Sequence, residues 1–95
     1  MYSLQKTKKF IKSYQKIIRS GDWNDKNQKG LVRLINSLLK NEKLPQKFKD
    51  HQLKGELKDY RECHIKGDLL LIYQIIGNDL VLLLVNIGSH SELGL

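Results

Sequence analysis

Four side chains in this sequence have the types and the setting for acid–base chemistry: His51, His64, Asp68 and His90. Imidazole both takes and gives a proton near neutral pH, and a carboxylate beside it fixes which nitrogen carries that proton. Two such groups flanking a phosphodiester permit in-line attack by a ribose 2′-hydroxyl without a metal ion. Nearby cations then stabilise the charge that builds on the phosphate. Lys54, Lys58, Arg61 and Lys66 lie in the same stretch and are the candidates for that task. Any one histidine taken alone reads more simply as a solvated surface residue. The case rests on convergence.

Metal binding is the rival use of three histidines, a cysteine and acids. The spacing argues against it, because there is no C-x-x-C and no H-x-x-x-H. Cys63 and His64 are neighbours on what reads as a strand, so their side chains point to opposite faces. No metal ligand set and no cofactor is expected. Cys63 reads as a small buried apolar residue, since a nucleophile would need an exposed, activated thiolate. Gly67 and Gly77 read as turn residues and not as a phosphate-cradling loop.

These residues need elements to hold them. Ninety-five residues fit one domain, and an apolar fraction of 40% is ordinary for a folded chain. All 17 Lys and Arg but only 7 of the 10 acids fall in residues 1–66, a net +10, leaving −3 on residues 67–95. Such a field attracts phosphate polymers in a salt-dependent way, although a lysine-rich surface kept for solubility would look the same. One cysteine cannot form an internal disulfide, which fits a reducing compartment. MYSLQKTKKF lacks the apolar core of a secretory signal, so a cytoplasmic location is expected.

Tyr2 to Gln5 alternates apolar and polar, as a short strand does. Thr7 is placed to cap a helix whose stripe is Phe10, Ile11, Tyr14, Ile17 and Ile18, with Gly21 just past its end. Asp22 to Asn27 reads as a turn. A second stripe follows at Leu31, Leu34, Ile35, Leu38 and Leu39, closed by Asn41 and Pro45, and Gly30 weakens its start. Asp59 to Lys66 reads as a strand with Tyr60, Glu62, His64 and Lys66 on a polar face and Arg61, Cys63 and Ile65 on the other. Two apolar runs, Leu69 to Ile76 and Leu80 to Ile87, surround a Gly77-Asn78-Asp79 turn and form a hairpin; that turn also rules out a membrane-spanning helix. The expected fold is α+β: an N-terminal strand, a helical hairpin, then an antiparallel three-stranded meander packed on the helices.

Lys49-Asp50-His51-Gln52-Leu53-Lys54-Gly55, Tyr60-Arg61-Glu62-Cys63-His64-Ile65, Asp68-Leu69-Leu70-Leu71-Ile72-Tyr73 and Gly88-Ser89-His90-Ser91-Glu92-Leu93 together resemble the YafQ branch of the RelE/ParE toxin superfamily. The resemblance implies the toxin of a bacterial type II toxin–antitoxin system, a ribosome-dependent mRNA endoribonuclease with no cofactor. It implies partners in a cognate antitoxin, the ribosome and mRNA, with operator DNA reached only through the antitoxin complex. It places functional roles on His51, His64, Asp68 and His90, with His90 as general acid, His64 or His51 as base, and Asp68 orienting or sharing that task.

Two departures bear on activity. The family usually carries an arginine where this chain has Asn86, and a phenylalanine where it has Gly94. Two other functions fit the same fold: a ParE-like inhibitor of a protein target such as DNA gyrase, or a catalytically weakened corepressor bound to the antitoxin. The histidine cluster favours the nuclease, because a blocking surface does not need it.

Overall fold

The computed structural model describes residues 2–77 and 80–95 of the chain; Asn78 and Asp79 of the expected hairpin turn lie outside them. Strand β1 (Ser3–Lys6) leads into helix α1 (Lys8–Arg19). The helix starts where it does because Thr7 is extended and its hydroxyl accepts the Phe10 N–H at 2.9 Å, satisfying a donor that a helix start leaves open. The same hydroxyl donates to the Val85 carbonyl at 2.6 Å, 78 residues away. Ser20 caps the other end, and Gly21 at φ 84° turns the chain where a side chain would be strained.

Helix α2 (Asp25–Leu39) begins within the stretch expected to be a turn. Asn24 explains the difference: its side chain accepts the Asn27 N–H at 2.8 Å, so the polar run is a helix start as well as a linker. Tyr14 of α1 and Trp23 of the linker both donate to Gln28 Oε1, which ties the two helices together.

The remaining chain forms β2 (His51–Gln52), β3 (Arg61–Lys66), β4 (Leu69–Ile76), β5 (Val81–Gly88) and a one-turn helix α3 (His90–Leu93). The sheet has five strands in the order β1-β5-β4-β3-β2. The meander of β3, β4 and β5 is as expected. The strand set is larger, with β1 running parallel to β5 at one edge and β2 paired with β3 at the other. Two residues carry no alternation that sequence periodicity can register, which is why β2 escaped notice.

Both long helices lie on one face of the sheet. Phe10, Leu31, Leu34 and Leu38 pack there against Cys63, Leu71, Tyr73 and Leu82. Burying such side chains contributes roughly 1.5–3 kcal/mol each relative to exposure. No helix among the described residues is long and apolar enough to cross a membrane. The opposite face of the sheet carries Glu62 and His64, set beside the buried Ile72 and Leu70.

Candidate active site

Register places the site. His51 pairs with Glu62, Glu62 with Ile72, and Ile72 with Asn86, giving one row across the polar face. The next row is His64, Leu70 and Gly88. Asp68 enters two residues before Leu70 and His90 follows two residues after Gly88, so antiparallel pairing delivers both to the same corner. Alanine at Gly88 would press its Cβ to 3.3 Å from Glu92 Oε1 and 3.4 Å from Glu92 Cβ, so the glycine lets α3 fold back onto the strand. Ser89 and Glu92 form a reciprocal capping box that fixes the first turn of α3, and with it His90. Glu92 is held below the usual carboxylate range by accepting the Ser89 backbone N–H.

His90 is gripped from one side. Asp68 Oδ1 accepts its backbone N–H at 3.0 Å and meets its Nδ1 at 2.5 Å. These bonds, the backbone N–H foremost, hold the exposed Asp68 carboxyl below its ordinary value of 3.8. The other ring nitrogen, Nε2, faces Glu62 Oε1 at 3.6 Å. Both nitrogens of His90 therefore face carboxylate oxygens, Asp68 within hydrogen-bond reach and Glu62 just beyond it.

His64 differs. Its Nδ1 lies 3.2 Å from the Gly67 carbonyl, an acceptor, so Nδ1 donates there and Nε2 is the nitrogen turned away from that bond. Its ring stands edge-on to His90 with centroids 5.7 Å apart. His51 is placed by two contacts, Nδ1 to the Lys49 carbonyl at 2.6 Å and Nε2 to Glu62 Oε2 at 2.9 Å. Sequence reasoning nominated His51, His64, Asp68 and His90, and the fold gathers all four.

Glu62 was missed. It is 3% exposed, bridges His51 and His90, and its Oε1 has no hydrogen-bond partner among the described residues. Its place on the polar face two residues before His64 was legible, but a strand carboxylate looks the same whether it is solvated or enclosed. Glu62, His64 and His90 each offer a donor atom, all within 4.8 Å of one another, so they could hold a divalent cation despite their spacing in sequence.

The nominated cations divide. Arg61 lies on the helix-facing side, where its guanidinium meets Asp50 at 3.3 Å and its Nε reaches the Tyr73 hydroxyl at 3.4 Å. Tyr73 also donates to Asp50, so the three side chains bolt the residue before His51 onto β3 and β4 from behind. Burial drives the Tyr73 hydroxyl above its usual range and pushes the Cys63 thiol up to about 12, leaving Cys63 an inert core residue. Lys54, Lys58 and Lys66 are exposed. Asn86 is buried, with Oδ1 accepting the Ile87 N–H, and Gly94 closes α3 at φ 75°.

Residues 2–94 match the family model of a bacterial toxin of type II toxin–antitoxin systems, YafQ. The mRNA interferase toxin YafQ of Escherichia coli K12 is 31% identical over 91 residues, 95% of this chain and 97% of that protein. A metal-bound toxin from Helicobacter pylori superposes with a TM-score of 0.87 at 44% identity, over 98% of this chain and 99% of that one. The E. coli DinJ–YafQ complex gives 0.82 at 28% identity, over 98% of each chain. Matched over nearly its whole length, this chain belongs to the YafQ family of type II toxins.

Proposed function

We propose that residues 1–95 act as one toxin domain, an endoribonuclease that cuts messenger RNA on the ribosome in the cytoplasm and is silenced by a cognate antitoxin. The carrying observation is the pairing of two differently held imidazoles: His64, with Nδ1 on the Gly67 carbonyl, stands edge-on to His90, whose nitrogens face Asp68 and Glu62. His64 takes the proton of a ribose 2′-hydroxyl, whose oxygen attacks the adjacent phosphorus. The bond to the 5′-oxygen breaks, and His90 gives that oxygen its proton. The products are a 2′,3′-cyclic phosphate and a 5′-hydroxyl, with no water or metal consumed. Asp68 orients His90, while Glu62 orients both His90 and His51; His51 is the second candidate base, a lesser one because both its nitrogens already face acceptors.

The naming of relatives supports the substrate and the partner: one is an mRNA interferase, and another is found as a complex with DinJ. Operator DNA is reached through the antitoxin complex. Inducing the toxin should produce discrete breaks in transcripts by primer extension and stop growth. His64→Ala with His90→Ala should abolish both at equal protein level. Intact transcripts alongside DNA damage would replace this reading with that of a gyrase-type binder. Antitoxin binding without growth arrest would leave only a corepressor.

A further inference from the structure

The imidazoles and carboxylates at the corner of the sheet bring no fixed cation with them, and no Lys or Arg follows Lys66 in the sequence. The positive charge lies next door. A cavity of about 590 Å³ runs between α2 and β3, with Lys26, Lys29 and Arg33 on one wall and Lys47, Phe48 and Lys66 on the other. It shares Lys47, Phe48 and Lys66 with a smaller cavity of about 300 Å³ that reaches His64. The two make one trough leading from the site.

Three features of this trough point to an anionic strand. No carboxylate lines either cavity, and none of the six Lys and Arg side chains of the two (Lys26, Lys29, Arg33, Lys47, Lys49 and Lys66) forms an ion pair among the described residues. Lys26, Lys29 and Arg33 follow the i, i+3, i+7 spacing of one helical stripe, so the charges stand in a row. Gly30 sits in the same wall within α2, where glycine disfavours helix. A Cβ there would come no closer than 4.0 Å to anything, so packing does not require its absence. A larger side chain at this lining position would project into the trough.

Resting on the nuclease reading above, we infer that this trough is the substrate subsite: it takes the phosphodiester backbone of single-stranded RNA flanking the scissile linkage. Lys47 and Lys66 sit nearest the reacting phosphate, and the α2 row holds the phosphates beyond. The half-buried Phe48 ring, with the Lys47 ammonium 5.1 Å from its centroid, offers an aromatic surface for a neighbouring base. The strand therefore approaches from the β3 side of the site and not from the arginine-less end of β5.

The test is binding of a short fluorescein-labelled RNA, 2′-O-methylated throughout so that it cannot be cut, followed by anisotropy over a range of salt. Replacing Lys26, Lys29 and Arg33 together by alanine should weaken binding about tenfold or more and lower the salt slope by about 2, roughly 0.7 per lost phosphate contact. Gly30→Leu, which favours helix but fills the trough, should weaken binding with the slope nearly unchanged. A 4-thiouridine next to the scissile position should crosslink to the peptide carrying Lys47 and Phe48. Unchanged affinity and slope in the triple variant would overturn the proposal. So would crosslinks confined to ribosomal RNA in ribosome-bound toxin, or competition for the trough by polyglutamate but not by RNA. Because the RNA is uncleavable, failure here is distinct from failure of the nuclease: His64→Ala with His90→Ala should bind it through the same trough.

Discussion

Nε2 of His51 stands 2.9 Å from Oε2 of Glu62, a carboxylate enclosed by the sheet, whose other oxygen faces Nε2 of His90 at 3.6 Å. One buried acid thus sets the angle of two imidazoles from two different elements, an edge strand and a terminal turn. Glu62→Gln keeps the volume and removes the charge. RNA cleavage should fall about 10²-fold, the usual cost of misplacing reacting groups, while the melting temperature does not drop. Single-turnover cleavage with a parallel thermal melt checks it. Full activity would make Glu62 a bystander.

Zinc should inhibit. The Glu62, His64 and His90 donors lie within 4.8 Å, and Asp68 holds Nδ1 of His90, which leaves Nε2 turned toward an ion. A bound cation would occupy the lone pairs that the acid–base steps need. Titrating Zn²⁺ into metal-free toxin should abolish cleavage near one equivalent, and a chelator should restore it. Cleavage that survives excess zinc would show that the three donors do not close on an ion.

Behind the site, Tyr73→Phe removes a hydroxyl that bonds both Asp50 and Arg61. Those bonds secure the residue before His51. The variant should lose about 1–2 kcal/mol in urea unfolding, as expected when buried polar groups lose a partner, and should also cleave more slowly. Wild-type stability would mean that β2 is held by its backbone pairing alone.

The Cys63 thiol supplies the pH dependence. Burial, with the Asp50 and Glu62 carboxylates adding, lifts it from 9.0 to about 12. The raised value means the folded chain keeps its proton while the unfolded chain releases it. The contribution is therefore complete below pH 9 and shrinks as pH climbs toward 12, by roughly 1.4 kcal/mol per unit. Cys63→Ala should flatten the alkaline slope of the urea midpoint, leaving the smaller share due to Tyr73, which shifts the same way. The native thiol should also resist alkylation at neutral pH. Rapid labelling would contradict its enclosure.

The sequence made some of this legible and hid the rest for definable reasons. Both helical stripes, the Thr7 cap and the paired apolar strands announced themselves through periodicity and turn chemistry. The start of α2 did not, because Asn24 serves equally as turn residue and cap. His51, His64, Asp68 and His90 could be nominated from their types and from the resemblance, and the register of β3, β4 and β5 explains why they meet. Glu62 could not, since burial of a strand carboxylate depends on what folds over it. Period-two geometry gave the side of the sheet on which Arg61 lies, but not Asp50 as its partner, which comes from the unforeseen pairing of β2 with β3.

The Thr7 hydroxyl caps α1 and holds the Val85 carbonyl, and among the described residues β1 finds its ladder partner in β5 alone. During synthesis β1 must therefore wait unpaired for β5, until nearly eighty further residues have emerged. His90 arrives just behind that same strand. A chain stalled anywhere before β5 lacks both that partner and His90, and should be a protease-sensitive, inactive product.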